Sequence, residues 1–332
     1  MKVLYVCDDD YSYIAGVSIL SLIDAHKAMS EIIEIYLVSD GISDDNINKL
    51  MSICNCPKVI LEILDFSKIE KYIEGKVHEN KWGKNIFVRL FPCRLFENKN
   101  DIDRIIYLDC DTLVNDSLLE LWKVNLSQNV AAAVNESMGN LHKKAIGLNL
   151  DQPYFNSGVI LIDINKWKEQ KIESQINDFL RKANMLEYPD EAAFNNVLQN
   201  KILLLPPKYN STSLTFYFTI KELMKYRKSK INCTDAERHE ALRNPIVIHF
   251  TSTFCDVRPW VENCQHLYSE KWKYYKSVSP WKSIPLRKDE SAITKKIMKT
   301  LVDILPFKLG INIAGFIHAY IKPIPYLIHK TI

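Results

Sequence analysis

Short apolar runs alternate with amphipathic stretches along most of the chain. KVLYVC (2–7), EIIEIYLVS (31–39), KVILEILD (58–65), RIIYLD (104–109), VAAAVN (130–135) and GVILIDI (158–164) read as strands. IAGVSILSLIDAHK (14–27) and SDDNINKLMSI (43–53) have the spacing of helices. Strands rich in Val, Ile and Leu, separated by helices, predict βαβ units and an α/β fold with a mostly parallel central sheet. In such sheets ligands bind beyond the carboxyl ends of strands, near the point where strand order reverses. Cys7-Asp8-Asp9-Asp10 and Asp109-Cys110-Asp111 both stand at such ends.

After about residue 265 the pattern changes to aromatic, basic and Pro-interrupted sequence, then to Ile and Leu mixed with Lys. This predicts a main domain over 1–265 and a helical, basic C-terminal region over 266–332. Residues 271–332 hold 12 Lys and Arg against 3 Asp and Glu, a balance of +9 in a chain of net +3, so the rest carries −6. A basic, aromatic tail on an acidic body suits an anionic membrane surface, where each Lys or Arg is worth about 1 kcal/mol. Equally, it suits a helical cap packed on the core with its lysines outward. No run reaches the ~18 apolar residues of a spanning helix. The N-terminus turns acidic too early for a signal peptide. The expected location is the cytoplasm, with the tail on the inner face of the membrane. The eight cysteines form no C-x-x-C pair and read as reduced thiols.

The candidate chemistry lies at the strand ends. In an extended chain, residues i and i+2 point the same way about 7 Å apart, so Asp109 and Asp111 can reach one cation. Oxygen ligands favour Mg²⁺ or Mn²⁺. An Asp-x-Asp in a solvated turn is the plain alternative. In VCDDDY (6–11), acids could meet ribose and base while Tyr11 stacks, or Asp10 and Ser12 could simply cap the helix that follows. There is no GxGxxG and no GxxxxGK[ST], so a bound diphosphate would need a metal in place of a glycine loop. Asn156, Ser157 and Gly158 open a strand, and Gly158 permits close approach of backbone to a ligand. Asp190 and Glu191 begin a helix, either as functional carboxylates or as a cap and a first-turn acid. His249 ends a strand and could be a third metal ligand, or could satisfy backbone groups. Arg258-Pro259-Trp260 follows it, and Arg258 could hold a phosphate bidentately.

Taken in order, VCDDDY, YLDCD, FNSGV, PDE and HF…RPW resemble the retaining glycosyltransferases of family 8 over roughly residues 1–270. That resemblance implies the GT-A fold, a Mn²⁺ (or Mg²⁺) ion and a UDP-sugar donor, UDP-galactose or UDP-glucose. It implies transfer of a hexose, with retention, to a saccharide or lipid-linked acceptor in lipopolysaccharide or surface-polysaccharide synthesis; no nucleic acid enters this reading. By resemblance, Asp109, Asp111 and His249 hold the metal. Val6, Cys7, Asp8, Asp10, Tyr11, Arg89, Cys110, Ser157, Gly158 and Arg258 join the two aspartates in binding the donor. Asn156, Asp190 and Glu191 form the catalytic set. Three departures stand out. The stretch from His249 to Trp260 is long and lacks a glycine. Glu191 stands where Gln is common, and Ala192 where a second Asp is common. Two other readings compete: a non-catalytic sugar-nucleotide binder and a metal-dependent nucleotidyltransferase, the latter opposed by the missing glycine loop.

Overall fold

The structure, a computed structural model, describes residues 1–74, 83–99, 101–230 and 233–328. Ten strands are present among them: β1 Lys2–Asp8, β2 Ile33–Asp40, β3 Val59–Asp65, β4 Arg104–Leu108, β5 Thr112–Val114, β6 Ala131–Asn135, β7 Phe155–Asp163, β8 Ile202–Leu205, β9 Ser211–Thr212 and β10 Val247–His249. Seven make the central sheet, in the order β3-β2-β1-β4-β7-β6-β8. Every neighbouring pair is parallel except those of β7, which runs antiparallel to β4 and β6. The sheet is therefore mostly parallel, as the strand composition predicts.

Residues alternate strictly between its two faces. Val3, Tyr5, Ile106, Leu108, Val159 and Leu161 pack into one core, while Leu4, Ile105, Tyr107, Ile160 and Ile162 pack into the other. Helices cover both sides, so the strands read as unbroken apolar runs. The single reversed strand matters for function. β7 delivers its first residues to the edge where β1 and β4 deliver their last. The Asp109 N–H donates to the Gly158 carbonyl across that edge at 2.8 Å.

A second sheet, β5-β10-β9, starts three residues after Asp109. β5 pairs antiparallel with β10, placing Thr112 opposite His249. Two sheets thus end on one another at Asp109-Cys110-Asp111 and His249.

Some local expectations change. The strand predicted from Gly158 begins earlier, at Phe155, so Asn156-Ser157-Gly158 lie inside β7. The short run ILLL, 202–205, is the edge strand β8. The helix Ser12–Ala25 has no side-chain cap from Asp10 or Ser12; instead Asp8 Oδ1 accepts from the Tyr11 N–H at 2.9 Å. Asp190 is likewise no cap, since the helix Pro189–Val197 is preceded by Tyr188 and Asp190 is already helical.

After residue 265, the helix Ser269–Val278 packs on Ser12–Ala25, and Trp272 and Trp281 are buried in the core beneath it. The helix Phe307–Phe316 packs on the helix Ile220–Arg227, whereas Ile293–Ile304 buries no residue fully. Among the described residues, no helix is long and apolar enough to cross a membrane.

Candidate active site

Asp109 and Asp111 flank a tight turn, not an extended segment: the Thr112 N–H donates to the Asp109 carbonyl at 3.2 Å. The turn draws the carboxylates together, and one ligand atom each from Asp109, Asp111 and His249 falls within 4.8 Å of the others. His249 Nε2 lies 3.1 Å from Asp111 and 3.7 Å from Asp109. Its Nδ1 faces the Asn210 Oδ1 at 3.0 Å, an acceptor, so Nδ1 carries a proton in that bond. Held by Asn210 in this way, the ring keeps Nε2 turned toward the two aspartates, where a metal would sit. Burial opposes a charge on His249, yet Asp111 and then Asp109 outweigh it and raise its pKa. Burial also opposes charge on Asp111, but His249 and Arg258 bring it down to about 2. Two carboxylates and an imidazole in this arrangement fit a hard divalent cation.

Two arginines border this group. Arg89, on the 3₁₀ turn Lys84–Leu90, is buried and bridges Asp109 at 2.9 Å and Asp190 at 3.4 Å. It also donates to the Ser157 carbonyl at 3.1 Å and lies 4.4 Å over the Tyr107 ring. Arg258 lies 3.2 Å from Asp111 and donates to the Tyr11 hydroxyl at 3.2 Å, with its guanidinium 5.3 Å over Trp260. Its Nε donates to the Phe250 carbonyl, so the long loop folds back and returns its charge to the metal group.

On the far side of Gly158 the groups are acidic. The Asn156 Nδ2 donates to Glu136 at 2.8 Å and to Glu191 at 3.3 Å. Its Oδ1 accepts from the Gly158 N–H and from Asn210. Ser157 Oγ donates to Asp190 at 3.0 Å. Burial, then the charge of Glu136, push the Glu191 carboxyl well above the usual range.

At the nucleotide end, Asp8 closes the turn into the first helix, and the buried Cys110 donates its S–H to the Val6 carbonyl. Cys7 is buried beside Cys110. Asp10 is exposed, and its carbonyl accepts from Arg287.

All the sequence-derived candidates thus surround one edge of the sheet. Four residues there escaped the sequence reading: Glu136, Asn210, Arg227 and Arg287. Glu136 follows β6 and could have been found by the strand-end logic that found Asp109. Arg287, 5.7 Å over the Tyr11 ring, comes from a part of the chain with no strand pattern to place it.

The family described as Glycosyl transferase family 8 matches residues 2–264. A putative glycosyltransferase of Haemophilus influenzae is 30% identical over 278 residues, covering 80% of this chain and 75% of that protein. A lipopolysaccharide 1,2-glucosyltransferase of Escherichia coli K12 is 27% identical over 315 residues, covering 89% and 83%. Among solved structures, the galactosyltransferase LgtC in complex with donor and acceptor sugar analogues has a TM-score of 0.68 at 21% identity, covering 84% of this chain and 96% of that one. That likeness concerns the fold, which is that of a GT-A glycosyltransferase. With the match spanning residues 2–264, the chain belongs to glycosyl transferase family 8 and has the GT-A fold.

Proposed function

We propose that the protein transfers galactose or glucose from a UDP-sugar to a saccharide or lipid-linked acceptor in lipopolysaccharide or surface-polysaccharide synthesis, with retention at the anomeric carbon. One observation carries this reading: Asp109, Asp111 and His249 offer ligand atoms within 4.8 Å of one another at the sheet's ligand-binding edge. A Mn²⁺ or Mg²⁺ ion on these three groups would supply Lewis acidity and charge neutralisation to a diphosphate. Asp8, Val6, Cys7, Cys110 and Tyr11 line the end suited to the nucleoside. Arg258 and Arg89 suit the phosphates and the sugar, where charge-assisted bonds in a water-poor site are strong. Asn156, Ser157, Asp190 and Glu191 suit the hexose hydroxyls.

In the transfer, the bond from the anomeric carbon to the UDP oxygen breaks as a bond to the acceptor oxygen forms on the same face. The acceptor proton passes to the departing phosphate. Burial and the neighbouring Glu136 disfavour the ionised Glu191 that nucleophilic attack would need, which supports front-side attack over a glycosyl–enzyme intermediate. A glycosyl–Glu191 adduct found by mass spectrometry would overturn that choice.

The tail supports work at the cytoplasmic face of an anionic membrane. Ile293, Ile297 and Ile304 face outward, 69%, 52% and 76% exposed, on a helix that also bears the exposed Lys296 and Lys299.

A donor screen tests the catalytic reading. UDP release should occur with a UDP-hexose and Mn²⁺, and stop with EDTA. Tight UDP binding without release from any donor would instead identify a binder.

A further inference from the structure

The C-terminal segment reaches the sugar side of the site from behind. Arg227 ends the helix Ile220–Arg227 and is buried. Its Nη2 pairs with Glu136 Oε1, while Glu136 Oε2 accepts from Asn156. Its Nη1 donates to His318 Nε2 at 2.7 Å. A guanidinium only donates, so this histidine nitrogen must accept and the ring proton sits on Nδ1. That Nδ1 is buried with no hydrogen-bond partner among the described residues. Burial and the charge of Arg227 keep His318 neutral, as the bond requires.

The same segment grips a second element of the site. Lys322 pairs with Glu187 and donates to the Tyr188 hydroxyl at 3.1 Å. Those residues run directly into Pro189-Asp190-Glu191. His142 ties the two grips together: Nδ1 lies 3.0 Å from Glu187, and Nε2 lies 3.1 Å from the His318 carbonyl. The packing leaves no slack. A Cβ at Gly315 would lie 2.4 Å from the Lys225 carbonyl, in the last turn of the helix that carries Arg227.

Glu136 and Glu191 both face the Asn156 amide. Two carboxylates thus share one amide, and the Arg227 guanidinium pairs with Glu136. Arg227 pairs with Glu136 Oε1 while Oε2 accepts from Asn156, so the guanidinium fixes where this carboxylate meets the amide. We infer that Arg227 is a positioning residue for sugar transfer, and that the C-terminal segment 307–322, through His318, completes the sugar pocket by fixing Arg227 against Glu136. This rests on the transfer reading above.

The test uses the full chain with Mn²⁺, the UDP-hexose active in the screen, and UDP binding as a control remote from Arg227. Arg227→Met should lower kcat about ten- to a hundred-fold, the range expected for a misplaced catalytic geometry. The UDP Kd should stay within about two-fold, a range typical of additive, distant sites. Arg227→Lys should recover part of the loss. The double variant Glu136→Gln/Arg227→Met should be no slower than Glu136→Gln alone, because the arginine acts through that carboxylate. Should Arg227→Met fail to bind UDP, His318→Phe and His318→Gln take its place; the amide can accept from Arg227 and should restore kcat, the phenyl ring should not. Unchanged kcat in Arg227→Met, losses that multiply in the double variant, or equal rates in the two His318 variants would overturn the inference while the wild type stays active. A wild type silent with every donor overturns the transfer reading and this inference with it.

Discussion

The backbone at Gly158 lies against His249: a Cβ there would stand 2.3 Å from the ring Cε1 and 2.7 Å from Asp109 Oδ2. Any side chain at 158 must push one candidate metal ligand off another. Gly158→Ala should therefore cost about a hundred-fold or more in Mn²⁺-supported turnover, as sub-ångström misplacement does at such sites. Manganese titration by EPR should show weakened binding in parallel. Wild-type Mn²⁺ affinity in this variant would mean that the three groups do not act as one site.

Arg89 is buried between Asp109 and Asp190, and no other arginine or lysine among the described residues pairs with either. Burial disfavours its charge, but Asp109, Tyr107 and Asp190 together outweigh that and raise its pKa. Removing one member of a buried pair leaves an uncompensated charge, at about 3–5 kcal/mol. Arg89→Met should lower unfolding free energy by that order in urea with EDTA present. Arg89→Lys should recover charge but not the fork that also reaches the Ser157 carbonyl, and so only part of the activity. A methionine variant as stable as wild type would remove Arg89 from this role.

Glu191 gives a pH signature with a definite sign. Its folded pKa is raised above the ordinary 4.5. As pH rises above that value, the unfolded chain releases a proton that the folded chain retains, so this group lowers stability with increasing pH. Glu191→Gln removes the proton and the slope. The variant should gain in Tm relative to wild type from pH 5 to pH 8, and turn over within a few-fold of it near neutrality. A constant Tm difference across that range would mean Glu191 ionises normally in the fold.

The sequence makes the sheet legible because its strands are buried on both faces and each strand end carries its acids without helical ambiguity. Asp109, Asp111 and His249 stand out for that reason. The turn that closes Asp109 on Asp111 was hidden, since spacing alone suggested an extended pair. The reversal of β7 was hidden too, because a fully buried strand has the same composition in either direction. Arg227 and His318 left no local sign: each sits in helical sequence, and their meaning arises only when chain segments 91 residues apart meet. Tryptophans 272 and 281 looked like tail residues by composition, yet pack into the core.

The tail helix Ile293–Ile304 carries the last prediction. Its outward residues Ile293, Ile297 and Ile304 are more than half exposed, while Met298 and Val302 on the other side pack against the small core that includes Phe218, Tyr226 and Ile311. An exposed apolar stripe flanked by Lys296 and Lys299, with Lys308 beyond, combines insertion with attraction to anionic headgroups. Asp303 on the same helix weakens that attraction but does not cancel it. Full-length protein should float with vesicles containing anionic lipid, less with zwitterionic vesicles, and less again at high salt, where surface charges are screened. Truncation is a poor test, because residues 307–322 also hold Arg227. The triple variant Ile293→Asp/Ile297→Asp/Ile304→Asp alters only exposed positions, which seldom matter for stability. It should remain in the bottom fraction while keeping its UDP affinity. Flotation equal to wild type would show that this face does not meet a membrane.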